Sequence, residues 1–567
     1  MRRAVTRLAR RNFGFAGTSI NGPSGWETAA TQAIATARTH VDAINGKNRD
    51  PLRTLRQLDA VSVALCGVLD PAALCVAAHD CDDWRAAASG AAARVEAVME
   101  ELNADAALAS AAAACAAAND LPPSARRLAD AFHSEFSRDG RFASARVMER
   151  QAVQLLFATD VDESASWTRV PCVDATRVAA AVDAAAPGCA SASGDSVDLF
   201  SSCSAVSAFL TVSHDASARK IIFDHHETAL NFDALDVVAS ARRGVVTAHS
   251  ALEGSLIGGI EAAKAFVDEA LRRAKRRAAF EERRGAVLLG LERLEPSDRL
   301  AAAHRLRERQ SSDDGDVVAA VCVAPPGFTV DEVPCGADEA WAPGVRKLQI
   351  RSDAVVATIF LDLEPRPGKP PGCAHYTVAC ACDVDGSGTD APAETWGLRQ
   401  PSRLPAVGAI VSSSPDARAL AHEWGHALHG AIHRSTSQHL AGTRGSTDAA
   451  ELPATALEVL APRRQRNTRG MEAVAALRGA VFDLALHGAY GACDNNVDGA
   501  LAIADARAGA GRRADVIDWL PHVAEAPAAL YAYPWGRARA DVLWRRPDAE
   551  EEFLRVLEGD EARALNW

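Results

Sequence analysis

The sequence predicts a mainly α-helical protein. Three observations carry that class: alanine is abundant, aromatic residues make up only 5% of the chain, and Leu, Val and Ala recur at helical spacing through most of it. At 567 residues the chain can bury a large core, and by length it divides into roughly two to four domains. The formal net charge of −13 argues against a nucleic-acid partner and suits a partner that is itself basic. The 13 cysteines are odd in number and scattered, which reads as reduced thiols rather than a disulfide framework. No continuous apolar run approaches the ~18 residues of a membrane span, so no span is expected.

Taken in order, residues 1–11 (MRRAVTRLARR) carry five arginines and no acid, and the first acidic residue is Glu27. That pattern suits an amphipathic mitochondrial presequence, with a plastid address or an ordinary basic terminus as alternatives. Long amphipathic helices follow, interrupted near 187–195, where PGCASASGDS reads as a loop. HSALEGS (249–255) introduces a helix from Ile257 to about Lys275. The periodicity then weakens to a charged helical stretch and a loop, SSDDGD. Ala354–Leu363 and Leu404–Ser412 are β-branched and read as strands. Between them Asp383, Asp385 and Glu394 match a calcium loop at several positions, but a preceding strand and Pro392 argue against one. Cys380, Cys382 and the His225-His226 pair lack partners at ligand spacing and read as structural or surface residues.

The chemistry concentrates at Ala421-His422-Glu423-Trp424-Gly425-His426-Ala427-Leu428-His429. His422 and His426 stand four apart, so on a helix both imidazoles leave one face and can share a zinc ion, with Glu423 close enough to polarise a zinc-bound water. Ser414 is a candidate cap, Pro415 a first helical residue, Asp416 a first-turn acid and Gly430 a stop. A catalytic zinc needs a third protein ligand and one open position. Downstream, GTRGSTDAAELP (442–453) begins a second helix in which Thr447 can cap and Glu451 lies in the first turn.

The residues HEWGHALHG and GTRGSTDAAELP resemble the thimet oligopeptidase family of zinc metallopeptidases, most closely its mitochondrial intermediate peptidase branch. FGFAGTSINGPSGWETAATQAIATARTHV, from Phe13, is similar to the start of the mature protein in that branch. The resemblance implies a two-lobed helical fold with zinc on the floor of a deep central channel and a small β-sheet beside the zinc helix. It implies one Zn2+ per chain held by His422, His426 and Glu451, with Glu423 as general base. Asp448 would orient a ligand imidazole or, equally, cap its helix. His522 and Tyr533 match the family's histidine and its last tyrosine, the donors to the oxyanion, while Tyr531 and Arg537 match neighbouring substrate-side positions. Ala526 and Leu530 stand where the family has tyrosines, and Pro527 and Pro534 are unusual there. The resemblance divides the chain into a mitochondrial targeting segment (1–14), an N-terminal helical lobe (15–235) and a catalytic domain (236–567). The expected protein is a monomer of the mitochondrial matrix (alternatively of a plastid or the cytosol) that takes an unfolded peptide or precursor N-terminus. Its expected reaction is removal of a short N-terminal octapeptide from imported precursors. A general organellar oligopeptidase and a peptide-binding pseudoenzyme are the rival readings.

Overall fold

The computed structural model describes residues 14–45, 50–141, 149, 151–153, 166–200, 202–230, 232–243, 246–308, 317–366, 369, 372–383, 403–413, 416–461, 469–491 and 496–566. The basic segment 1–11, the SSDDGD loop and the calcium-like loop after Asp383 lie outside them, as do Ser414 and Pro415. The protein is mainly α with small sheets. It forms two compact units that are interleaved in sequence. One comprises 1–143, 315–462 and 536–567, and the other 144–314 and 463–535. Each unit therefore draws on both sides of the linear 235/236 boundary expected from sequence, because contacts between distant segments decide compactness.

The first unit begins with five helices, α1 (Pro23–Ile44), α2 (Pro51–Ala78), α3 (Asp82–Asn103), α4 (Ala106–Ala116) and α5 (Pro123–Arg141). Their starts follow local chemistry. Asp50 accepts from Arg53 N ahead of Pro51, and Asp105 accepts from Ala107 N and Leu108 N. By length and composition α2 could cross a membrane, although charged residues break it into short apolar runs. Here its Leu55, Leu58, Leu65 and Leu74 are buried in a core shared with Trp26, Phe132, Trp341 and Phe360.

A five-stranded sheet follows: β1 (Thr329–Val333), β2 (Arg346–Arg351), β3 (Val355–Asp362), β4 (Cys373–Ala379) and β5 (Ala406–Ser412), in the order β1-β2-β3-β5-β4. The two strands read from sequence, β3 and β5, are central and pair in parallel, with Ala406 opposite Ala357 and Ile410 opposite Leu361. Being covered on both faces, they are the most apolar, which is why they were legible. β4 pairs antiparallel with β5, Ile410 opposite His375, and ends the sheet. Two helices complete the site, α6 (Ala417–Ile432) and α7 (Thr447–Leu460).

The second unit contains a 30-residue helix, Ile260–Leu289, which runs well past Lys275 and stops before Gly290 (φ 69°). Glu281 within its charged stretch is buried and accepts from Gly470 N and Met471 N, so the charges there continue the helix rather than end it. The segment 187–195 is not only loop: Ala190–Ser193 pairs with Ser196–Phe200 across a turn at Gly194 (φ 62°). Its run of small polar residues carries no apolar alternation, and only the partner strand, with buried Val197 and Leu199, betrays it.

α6 and α7 meet backbone to backbone at Gly425, where a Cβ would lie 2.4 Å from Ala454 Cα and 2.8 Å from Pro453 O. Gly430, inside α6, faces open space. Gly425→Ala is therefore expected to destabilise the protein by about 1–3 kcal/mol through overpacking. Gly430→Ala should leave stability unchanged or raise it by about 0.5–1 kcal/mol. Thermal melting of the two variants against the parent checks both.

Candidate metal centre

α6 starts at Asp416, whose side chain accepts from Arg418 N and Ala419 N, so Asp416 is the cap rather than a first-turn acid. Its buried stripe of Leu420, Ala421, Trp424, Ala427 and Leu428 anchors the helix, and Trp424 Nε1 donates to Val323 O at 2.8 Å. The helix does not stop at Gly430 but continues to Ile432. α7 takes Ser446 as its cap residue, and Thr447 is already helical. Asp448 is buried and its Oδ1 accepts from Ser446 Oγ at 2.7 Å and Ala449 N at 3.1 Å, bonds that belong to the helix start.

Crossing at Gly425 brings the donors together. His422 Nε2 lies 3.2 Å and His426 Nε2 3.7 Å from the same Glu451 oxygen. All three ligand atoms fall within 4.8 Å of one another. Two imidazoles and one carboxylate converging on one point are a donor set suited to a catalytic zinc. The chemistry of the site fits the ion.

Glu423 follows His422 on α6, and its Oε2 accepts from His375 N of β4 at 2.7 Å. Burial pushes its carboxyl up to about 7, against the lowering influence of His422 and the His375 N–H. A carboxylate poised near neutral pH is suited to general-base work. Burial, helped by the neighbouring His422 and His429 rings and opposed by Glu451, holds His426 low, at about 4. Burial would also lower His422, but Glu451 and Glu458 outweigh it and hold the imidazole up at about 10.

Glu458 was missed in the sequence. It lies seven residues after Glu451, two turns along the same face of α7, and its Oε2 is 3.5 Å from His422 Nδ1. Arg418 and Arg537 both pair with it. Burial would raise the Glu458 carboxyl, yet His422 and these two cations hold it down at about 2. Arg537 therefore acts on the imidazole through Glu458. The i, i+7 spacing of two glutamates was the available signal.

The remaining expected residues lie in the second unit. Tyr533 OH and His522 Nδ1 are 3.0 Å apart, so these two meet as a pair, with His522 exposed. Tyr531 is buried. The turn before it is held by buried Asp483, which accepts from Ala528 N at 2.9 Å and Leu530 N at 3.0 Å. Ala528 adopts a left-handed φ of 61°, a conformation that favours glycine. Cys380, read as structural, accepts from Arg444 Nε, and His226 is buried in its helix.

A family model, Peptidase family M3, matches residues 269–470, the stretch that carries His422, Glu423, His426 and Glu451. A mitochondrial intermediate peptidase of Aspergillus niger is 32% identical over 211 residues, covering 30% of this chain and 26% of that one. Those of Eremothecium gossypii (32% over 159 residues, 24% of this chain and 20% of that one) and Aspergillus oryzae (34% over 154 residues, 22% and 19%) are similar. The chain thus spans about a fifth to a quarter of the length of the curated relatives it matches. A Peptidase family M3 domain is present in this chain.

Glu458→Gln keeps the shape of the side chain and removes the charge beside His422. It is expected to weaken zinc binding by about 10–100-fold, the usual cost of losing a partner behind a ligand. Titration with a competing chelator measures it.

Proposed function

We propose, from the Peptidase family M3 domain and the donor set it contains, that this chain is a zinc-dependent metalloendopeptidase. Within that class we assign it to the mitochondrial matrix, where it removes a short N-terminal octapeptide from imported precursor proteins, the activity that the resemblance to intermediate peptidases implies. The observation that carries the metallopeptidase reading is the approach of His422 and His426 to one Glu451 oxygen with Glu423 beside them.

His422, His426 and Glu451 would hold one Zn2+, which supplies a water of lowered pKa and a Lewis acid for the scissile carbonyl. Glu423 takes the proton of the attacking water and passes it to the leaving amine. In this structure its carboxylate is aimed by the His375 N–H, which fixes one oxygen and leaves the other for the water. Glu458, held by Arg418 and Arg537, keeps the His422 ring turned. β4 ends its sheet, and an extended substrate can add along it through main-chain hydrogen bonds that ignore side-chain identity. The resemblance gives Tyr533 and His522 the task of donating to the developing oxyanion, with Tyr531 and Arg537 as supporting positions.

A second reading rests on Ala526 and Leu530, which replace family tyrosines. With fewer donors the chain could bind peptides without cutting them. The full chain is expected to hold zinc and to cleave a presequence-like peptide. Glu423→Gln should lower kcat by about 10²–10⁴-fold at unchanged zinc content. Tyr533→Phe should lower it by about 10²–10³-fold. A precursor carrying an octapeptide, cut once, supports the processing assignment, whereas broad cutting of short peptides replaces it with a clearance role. Zinc without cleavage by the parent chain favours the binding reading.

A further inference from the structure

The HEWGH histidines are followed by a second pair, His429 inside α6 and His433 immediately after its last residue. His429 and His433 repeat the four-residue spacing seven residues further on, and seven residues return to nearly the same angle on a helix. The second pair therefore lies on the same face, about 10 Å along the axis. Glu561, from the C-terminal 3-10 turn Glu561–Asn566, reaches both rings: its Oε1 is 3.3 Å from His429 Nε2 and 3.3 Å from His433 Nε2. The three ligand atoms lie within 4.8 Å of one another, as in the first site.

We propose that His429, His433 and Glu561 form a second divalent transition-metal site, one that ties the C-terminal turn to the catalytic helix. The distances carry it. A tetrahedral zinc with bonds of ~2.0–2.1 Å separates its ligand atoms by about 3.3–3.4 Å. A good N–H···O hydrogen bond is shorter, at about 2.9–3.0 Å. Two equal separations of 3.3 Å to one oxygen fit an ion held between the three groups better than two hydrogen bonds. Among the described residues, the Nδ1 atoms of His429 and His433 are buried with no hydrogen-bond partner, so each ring presents its Nε2 edge alone. His429 is fully buried. Nearby, Arg434 N donates to Glu558 O at 3.0 Å, so the C-terminal segment already touches the end of α6 where the ion would fasten it.

This site is separate from the one on which the proposed activity rests, and zinc counting can tell the two apart. The full chain, loaded with zinc chloride and freed of excess by gel filtration, is expected to hold two zinc ions. Glu561→Gln and His433→Gln should each hold one. Glu451→Gln should also hold one, and Glu451→Gln combined with Glu561→Gln none. The first added equivalent and the second should each raise the melting temperature, the second only where Glu561 is intact. A parent chain with one zinc that survives Glu561→Gln but not Glu451→Gln overturns the second site and leaves the catalytic one standing. One zinc that survives Glu451→Gln but not Glu561→Gln upholds the second site and sinks the first. If the C-terminal variants fail to fold, the Glu451→Gln chain decides alone, since a count of zero there overturns the proposal.

Discussion

The site depends on a place where a side chain is missing. At Gly425 a methyl group would collide with Ala454 Cα and Pro453 O, so α6 and α7 lie backbone against backbone. That contact stands three residues from His422, one from His426 and three from Glu451. The donors are therefore fixed by main chain rather than by long flexible side chains, and little conformational entropy is lost when they close on an ion. The glycine inside the motif is as much a part of the proposed metal site as its histidines.

Charge is the second constraint. α7 presents two buried carboxylates two turns apart on one face, Glu451 and Glu458, and His422 lies between them. Two like charges in a desolvated space would favour protonation of one. Arg418 and Arg537 counter that at Glu458 by pairing with it, which holds its carboxyl low beside the imidazole. Arg537 lies 79 residues from Glu458 in sequence, so this part of the site forms only when distant segments pack.

What the sequence disclosed and what it concealed follow from that difference in range. The HExxH spacing and the two central strands rest on periodicity within a dozen residues, and local pattern reports such features well, whereas Glu451 was expected only from the family resemblance. Helix ends were less legible: Asp416 caps where Ser414 and Pro415 looked the better start, and Gly430 is interior because packing continues past it. The hairpin at 190–200 was hidden because its first strand has no apolar alternation. α2 shows no long continuous apolar run because Arg53, Arg56, Asp59 and Asp70 interrupt it. The interleaving of the two units has no local signature at all.

The same distinction explains why the second histidine pair reads so differently from the first. Four histidines occupy positions i, i+4, i+7 and i+11, three within α6 and the fourth, His433, directly after it, and periodicity alone gives each pair equal standing. What separates them is the origin of the carboxylate. Glu451 arrives from the next helix and can be sought by scanning forward, whereas Glu561 arrives from the chain's last turn, 132 residues from His429. A carboxylate from so far away is an unlikely accident of helix packing once two buried imidazoles already face one point. Burying His429 and His433 together in an apolar core has a cost that a shared charge offsets. An anionic partner alone leaves the rings at hydrogen-bonding distances longer than such bonds prefer, and a cation between them accounts for both the separation and the burial.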